Sequence, residues 1–129
     1  MTMTDIQEYN DKLEGAHREI AEGLCALIAA EFSVAEGKVW HGHPVWFIDG
    51  NPVVGYSLKK AGIEVLFWSG QSFTKPGLRA IGKFKAAGVA IASTDDVAAL
   101  KLLMPEALAI QWNYKDLPKL RKLEKLTDF

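Results

Sequence analysis

The 129-residue chain predicts an α+β domain built in two layers, an antiparallel sheet of about five strands with an N-terminal helix and C-terminal helices on one face. Three observations lead there. Apolar residues recur at helical spacing from Ile6 to Ile28, and Ser93-Thr94-Asp95-Asp96 opens a second helical stretch. Between them, from Lys38 to Trp68, short runs of β-branched and aromatic residues are separated by turn residues. Strands joined by turns this short run antiparallel, because a parallel return needs about a dozen residues.

The first element reads as one long amphipathic helix. Thr4-Asp5-Ile6-Gln7 has the spacing of a capping box, in which a hydroxyl and an amide satisfy two orphan backbone donors. Ile6, Tyr9, Leu13, Ala16, Ile20, Leu24, Leu27 and Ile28 then fall on one stripe, with Asp5, Glu8, Asp11, Glu19 and Glu22 roughly opposite. Gly15 and Gly23 each cost up to ~1 kcal/mol relative to Ala, which burial of the stripe offsets.

Strands are expected over Lys38 to His41 and Val45 to Ile48, followed by an Asp49-Gly50-Asn51 turn, then over Val53 to Lys59 and Ile63 to Trp68. Ser69 to Gly82, with three glycines and Pro76, reads as a loop, and Phe84 to Ala92 as a last strand. After the capped helix at Ser93, Pro105 interrupts or restarts it. A turn near Asn113 precedes a short helix over Asp116 to Leu126, marked by Leu117, Leu120, Leu123 and Leu126. No internal repeat or linker divides the chain, so a single domain over 1–129 is expected.

Fifteen Lys and Arg against sixteen Asp and Glu give a net charge of −1, unevenly spread. Met1 to Glu36 holds eight acids and two bases, whereas the remainder carries a surplus of five bases. The lone Cys25 cannot form an internal disulfide, no apolar run approaches the ~18 residues of a membrane span, and no leader pattern opens the chain. A cytoplasmic, membrane-free protein is expected.

No catalytic constellation stands out, and no enzyme activity is expected. Gly77 to Lys83 matches the G-x-x-x-x-G-K part of a phosphate loop, but Phe84 replaces the hydroxyl residue and a strand follows where a helix is needed. His41 and His43 would project to one side of an extended chain, two ligands of a metal site that lacks the others. Lys59, Lys60, Lys75, Arg79, Lys83 and Lys85 form a basic stretch beside Trp68 and Phe73, yet near-neutral net charge argues against nucleic acid as partner. Carboxylates three residues apart, Glu8 with Asp11 and Glu19 with Glu22, repel each other and offer hard cations an open, weak site.

The run from Trp40 to Tyr56, with its Gly42-His43-Pro44 step, hydrophobic strand, Asp49-Gly50 turn and second strand, resembles the bacterial YdhG-like family, as do Val65 to Trp68 and Gly82-Lys83-Phe84. This is a branch of the frataxin-like superfamily, and the resemblance spans about Ile20 to Asp96. It implies a frataxin-like sandwich. It also implies an iron chaperone that binds iron weakly on first-helix carboxylates and docks on an iron–sulfur assembly partner, with Glu8, Asp11, Glu19, Glu22 and Glu36 on the equivalent surface. The sequence departs from that pattern in lacking consecutive acids and in placing Lys12 and Arg18 among them.

Two functions therefore compete. One is the weak iron-binding protein; the other is a metal-free interaction or small-ligand module, a monomer or homodimer, that uses Trp40, Trp46, Tyr56 and Trp68 on a sheet face left open by the helices.

Overall fold

The computed structural model describes residues 2–60, 62–75, 77–82 and 84–116, with backbone alone for 2–4. Among them an all-antiparallel sheet of six strands runs in the order β1-β2-β3-β4-β6-β5. Its strands are β1 (Glu36–Trp40), β2 (His43–Ile48), β3 (Asn51–Lys59), β4 (Gly62–Phe67), β5 (Arg79–Ala80) and β6 (Ala87–Ile91). Two-residue turns set the first two hairpins. His41 and Gly42 have φ of 53° and 85°, and Asp49 and Gly50 have 51° and 80°, the doubly left-handed geometry whose twist matches that of paired strands.

One sheet face carries the main core. Trp46, Val54, Tyr56, Val65, Phe67 and Ile91 pack there with helix residues that include Ile6, Leu24, Ile28, Val97 and Met104. Each such side chain, fully buried, contributes roughly 1.5–3 kcal/mol. The expectation of an antiparallel sheet packed with helices is met, with six strands where about five were expected; the extra one is the two-residue β5, inside the stretch read as loop.

The N-terminal helix differs from its sequence reading. It is two helices, α1 (Thr2–Asp11) and α2 (Gly15–Glu31). The Lys12 and Leu13 amides donate to the carbonyls of Tyr9 and Asn10, at 3.3 and 3.0 Å, which closes α1 with tighter turns. Gly15, at φ 55°, then redirects the chain. The break lets α1 lie against β1 and β2 while α2 lies against β3, β4 and the next helix. Because α1 begins at Thr2, Thr4 is interior to it, and Gln7 reaches forward to Asp11 Oδ1 (3.0 Å) instead of closing a capping box.

The C-terminal part follows its signals. Ser93 Oγ accepts the Asp96 amide at 3.4 Å and Asp96 Oδ2 accepts the Ala92 amide at 2.9 Å, which caps α3 (Thr94–Ala99). A 3-10 turn, Leu100–Leu103, leads into α4 (Met104–Ala109), with Pro105 in its first turn. The helix expected over Asp116 to Leu126 lies, from Leu117 on, outside the described residues.

Residues 111–116 form a strap tied to buried Asn51. Its Oδ1 accepts the Tyr114 and Lys115 amides at 2.8 and 3.1 Å, and its Nδ2 donates to the Trp112 carbonyl at 2.9 Å. Ser69 Oγ accepts the Trp112 amide at 2.9 Å. A net hydrogen bond contributes ~1 kcal/mol, so Asn51→Ala is expected to destabilise by roughly 2–3 kcal/mol in urea unfolding. A change below about 0.5 kcal/mol, the range of neutral surface substitutions, would contradict this role.

Candidate functional site

The five carboxylates expected to take iron are spread over three elements. Glu8 and Asp11 lie on α1, Glu19 and Glu22 beyond the break on α2, and Glu36 opens β1. Cations already face three of them. Asp11 Oδ1 receives Arg18 Nη2 at 3.1 Å, Glu22 Oε2 stands 3.9 Å from Arg18 Nε, and Glu36 Oε1 stands 3.8 Å from Lys38 Nζ. These pairs are about half exposed and each contributes ~0–1 kcal/mol, but they neutralise much of the row. Glu8, with Asp5, Tyr9 and Lys12, lines a groove of 420 Å³ between α1 and the β1–β2 hairpin. Among the described residues no three His, Cys, Asp or Glu side chains are gathered as a metal-binding group.

The histidines separate too. His41 sits in the turn, its ring centroid 4.3 Å from that of Trp40, while His43 begins β2. The expectation that both project from one extended segment fails because His41 is left-handed. His43 Nδ1 is buried without a hydrogen-bond partner among the described residues. Burial, opposed in part by the nearby Pro44 backbone, holds the ring's pKa below the ordinary histidine value, and the charges of Lys59 and His41 push it down further. Burial, and secondarily Glu22, raises the Cys25 thiol, which leaves it a packing residue with little thiolate.

The four aromatics expected on one open face divide between two. Trp46 and Tyr56 are in the main core beneath the helices, 2% and 1% exposed, their rings 5.9 Å apart. They are not available to a partner. Trp40 and Trp68 lie on the opposite face with Phe47, whose ring Trp40 meets edge-on at 5.3 Å; the two indoles are 6.3 Å apart. Val45, Leu66 and Tyr114 complete this second cluster. Trp68 is 9% exposed and Trp40 36%, so of these four aromatics Trp40 is the one that presents broad surface. Lys38 Nζ sits 4.6 Å from the Phe47 centroid, a cation–π contact at its flank.

Phe47 was missed as a partner of Trp40, although the sequence held the signal. With a two-residue turn at His41-Gly42, Trp40 pairs with His43 and shares a face with Val45 and Phe47, which sends Trp46 to the other side. The expected basic surface is partly engaged. Arg79 Nη2 meets Glu64 Oε2 at 2.8 Å, and Lys85 Nζ lies 4.7 Å from the Trp112 ring centroid. Within the phosphate-loop look-alike, Arg79–Ala80 forms β5, and Lys83 lies outside the described residues.

The fold is similar to that of the DUF1801-family protein YdhG from Bacillus subtilis, whose crystal structure aligns with a TM-score of 0.59 at 17% sequence identity, over 82% of this chain and 90% of that one. At that identity the likeness establishes a shared fold. No protein-family model matches the chain, and no curated protein does. Among the described residues no helix is long and apolar enough to cross a membrane.

The half-buried His43 ring gives the site a pH signature. Unfolding returns its pKa to about 6.5, so the unfolded chain binds the proton more readily just below that pH. The stability owed to the neutral ring is complete above about pH 6.5 and is lost as pH falls through the lowered folded value. Urea unfolding across this range should show stability declining more shallowly in His43→Gln than in the parent. Equal slopes would contradict the assignment.

Proposed function

We propose that this chain is a non-catalytic binding protein that engages a protein partner through the Trp40 side of its sheet. The observation carrying this reading is a half-open indole packed against Phe47 and Trp68 at the end of the β1–β2 hairpin. Anchored aromatics of this kind, already ordered before binding, supply much of the energy of protein interfaces at small entropic cost. The flanking Lys38 adds polar definition at the rim.

The frataxin-like reading, an iron chaperone, is the rival. It draws on the same fold and on Glu8, Asp11, Glu19, Glu22 and Glu36, but Arg18 and Lys38 compete with a cation for three of these five. We therefore favour a partner-binding role without metal.

Two measurements separate the readings. Photo-crosslinking in cells from p-benzoylphenylalanine at position 40 should give a discrete protein adduct that is absent when the group replaces Leu58, exposed on β3. The adduct's mass then distinguishes a second copy from a different protein; no adduct at 40, or equal adducts at both positions, contradicts the proposal. In anaerobic ferrous titrations, the variant with Glu8, Asp11, Glu19 and Glu22 all changed to Gln should match the parent. A saturable site present in the parent and lost in that variant would restore the iron reading.

A further inference from the structure

A cavity of about 280 Å³ lies on the helix-covered side of the sheet, away from Trp40, where β6 meets α3 and the 3-10 turn. Val89, Ile91, Leu100 and Leu103 supply apolar wall, and Leu102, 71% exposed, stands at its lining with its side chain largely in water. A leucine so exposed beside a concave apolar surface is a feature that bound apolar matter would cover.

Lys75 and Asp96 are its charged lining residues, and they are placed differently. Asp96 is occupied: its Oδ2 accepts the Ala92 amide as part of the α3 cap. Lys75 has no carboxylate within ion-pair distance among the described residues, and its backbone is pinned. Glu106 accepts the Thr74 amide at 2.8 Å, the Thr74 hydroxyl at 2.9 Å and the Lys75 amide at 3.0 Å. Those hydrogen bonds, foremost that from the Thr74 amide, keep the Glu106 carboxyl below the usual carboxylate range, so the clamp on the Lys75 segment holds at neutral pH.

An apolar cavity with one ammonium held in no ion pair among the described residues, though near enough for its charge to lower the Glu106 carboxyl, and one carboxylate spent on a helix cap selects a ligand with an apolar body and a single anionic end. We propose that this cavity binds a short amphipathic monocarboxylate, its hydrocarbon between β6 and the Leu100–Leu103 turn and its carboxylate at Lys75. The volume is just under the ~300 Å³ lower bound of drug-sized pockets, which sets the ligand at about eight carbons. A second carboxylate at the far end would meet burial among apolar groups or the Asp96 charge, so a dicarboxylate of equal length is selected against. This site stands independently of the Trp40 surface.

Titration of the 15N-labelled protein with octanoate, followed by amide chemical shifts, tests the assignment. Saturable shifts are expected at Val89, Ile91 and Leu100, with octanedioate about tenfold weaker, the factor that ~1.4 kcal/mol gives. Lys75→Gln should weaken octanoate by about the same factor and leave 1-octanol unchanged. Ala99→Trp, at an exposed lining position on α3, should abolish both; Val89→Trp, half-buried on the cavity face of β6, serves the same purpose if the first variant fails to fold. Absence of saturable shifts in the parent, shifts centred on Trp40 instead, octanedioate binding as tightly as octanoate, or undiminished octanoate binding by Lys75→Gln or the folded Trp variant would overturn the proposal.

Discussion

The Tyr56 hydroxyl donates to Asn10 Oδ1 at 2.6 Å in a wholly buried setting, and the layout of the molecule depends on that bond. Tyr56 stands in the central strand β3, on the helix-covered face, with Trp46 beside it and Tyr9 edge-on at 6.2 Å. Asn10 belongs to the last turn of α1. An unpaired amide or phenol here would forfeit its hydration for nothing, so each fixes the other's position. Burial raises the Tyr56 phenol far above its ordinary pKa, which keeps it a hydrogen-bond donor throughout the physiological range. The consequence is geometric: α1 must end where Asn10 meets the sheet, and the chain turns there before α2 can begin.

That constraint explains what the amino-acid order conceals. Leu13 and Ala16 continue the apolar stripe across the break, so periodicity alone favours one helix, and the decisive residues are Asn10, whose buried amide must find a partner, and Gly15, whose left-handed φ of 55° no continuous helix contains. The Ser93 cap and the tight turns fared better than the Thr4 capping box, because Ser93, Pro105, Asp49 and Gly50 act locally through their own side chains or backbones. The two-residue β5 has too little pattern to register as a strand. Face assignment hinged on the length of one turn: once His41-Gly42 is a two-residue loop, Trp40 and Trp46 must part company.

The candidate surfaces were less readable than the fold, since they depend on which neighbours the fold delivers. Arg18 reaches Asp11 across the helix break, whereas its pair with Glu22 is an ordinary i,i+4 contact within α2. The acidic row, continuous on a helical wheel, is interrupted in three dimensions. Conversely, the meeting of Trp68 with the Trp40–Phe47 pair and the cavity beneath Leu102 bring together residues from distant segments, and no spacing rule links those. A shared fold with the Bacillus subtilis protein leaves these surfaces to be judged on their own chemistry.

A double-mutant cycle on Asn10 and Tyr56 addresses the organising bond directly. Asn10→Ala, Tyr56→Phe and the pair together, compared by urea unfolding, should give a coupling energy of about 1–3 kcal/mol, because each single change strands a buried polar partner that the double change removes. Additive effects, with coupling below about 0.5 kcal/mol, would mean that the two groups do not depend on one another and that the helix break has another cause.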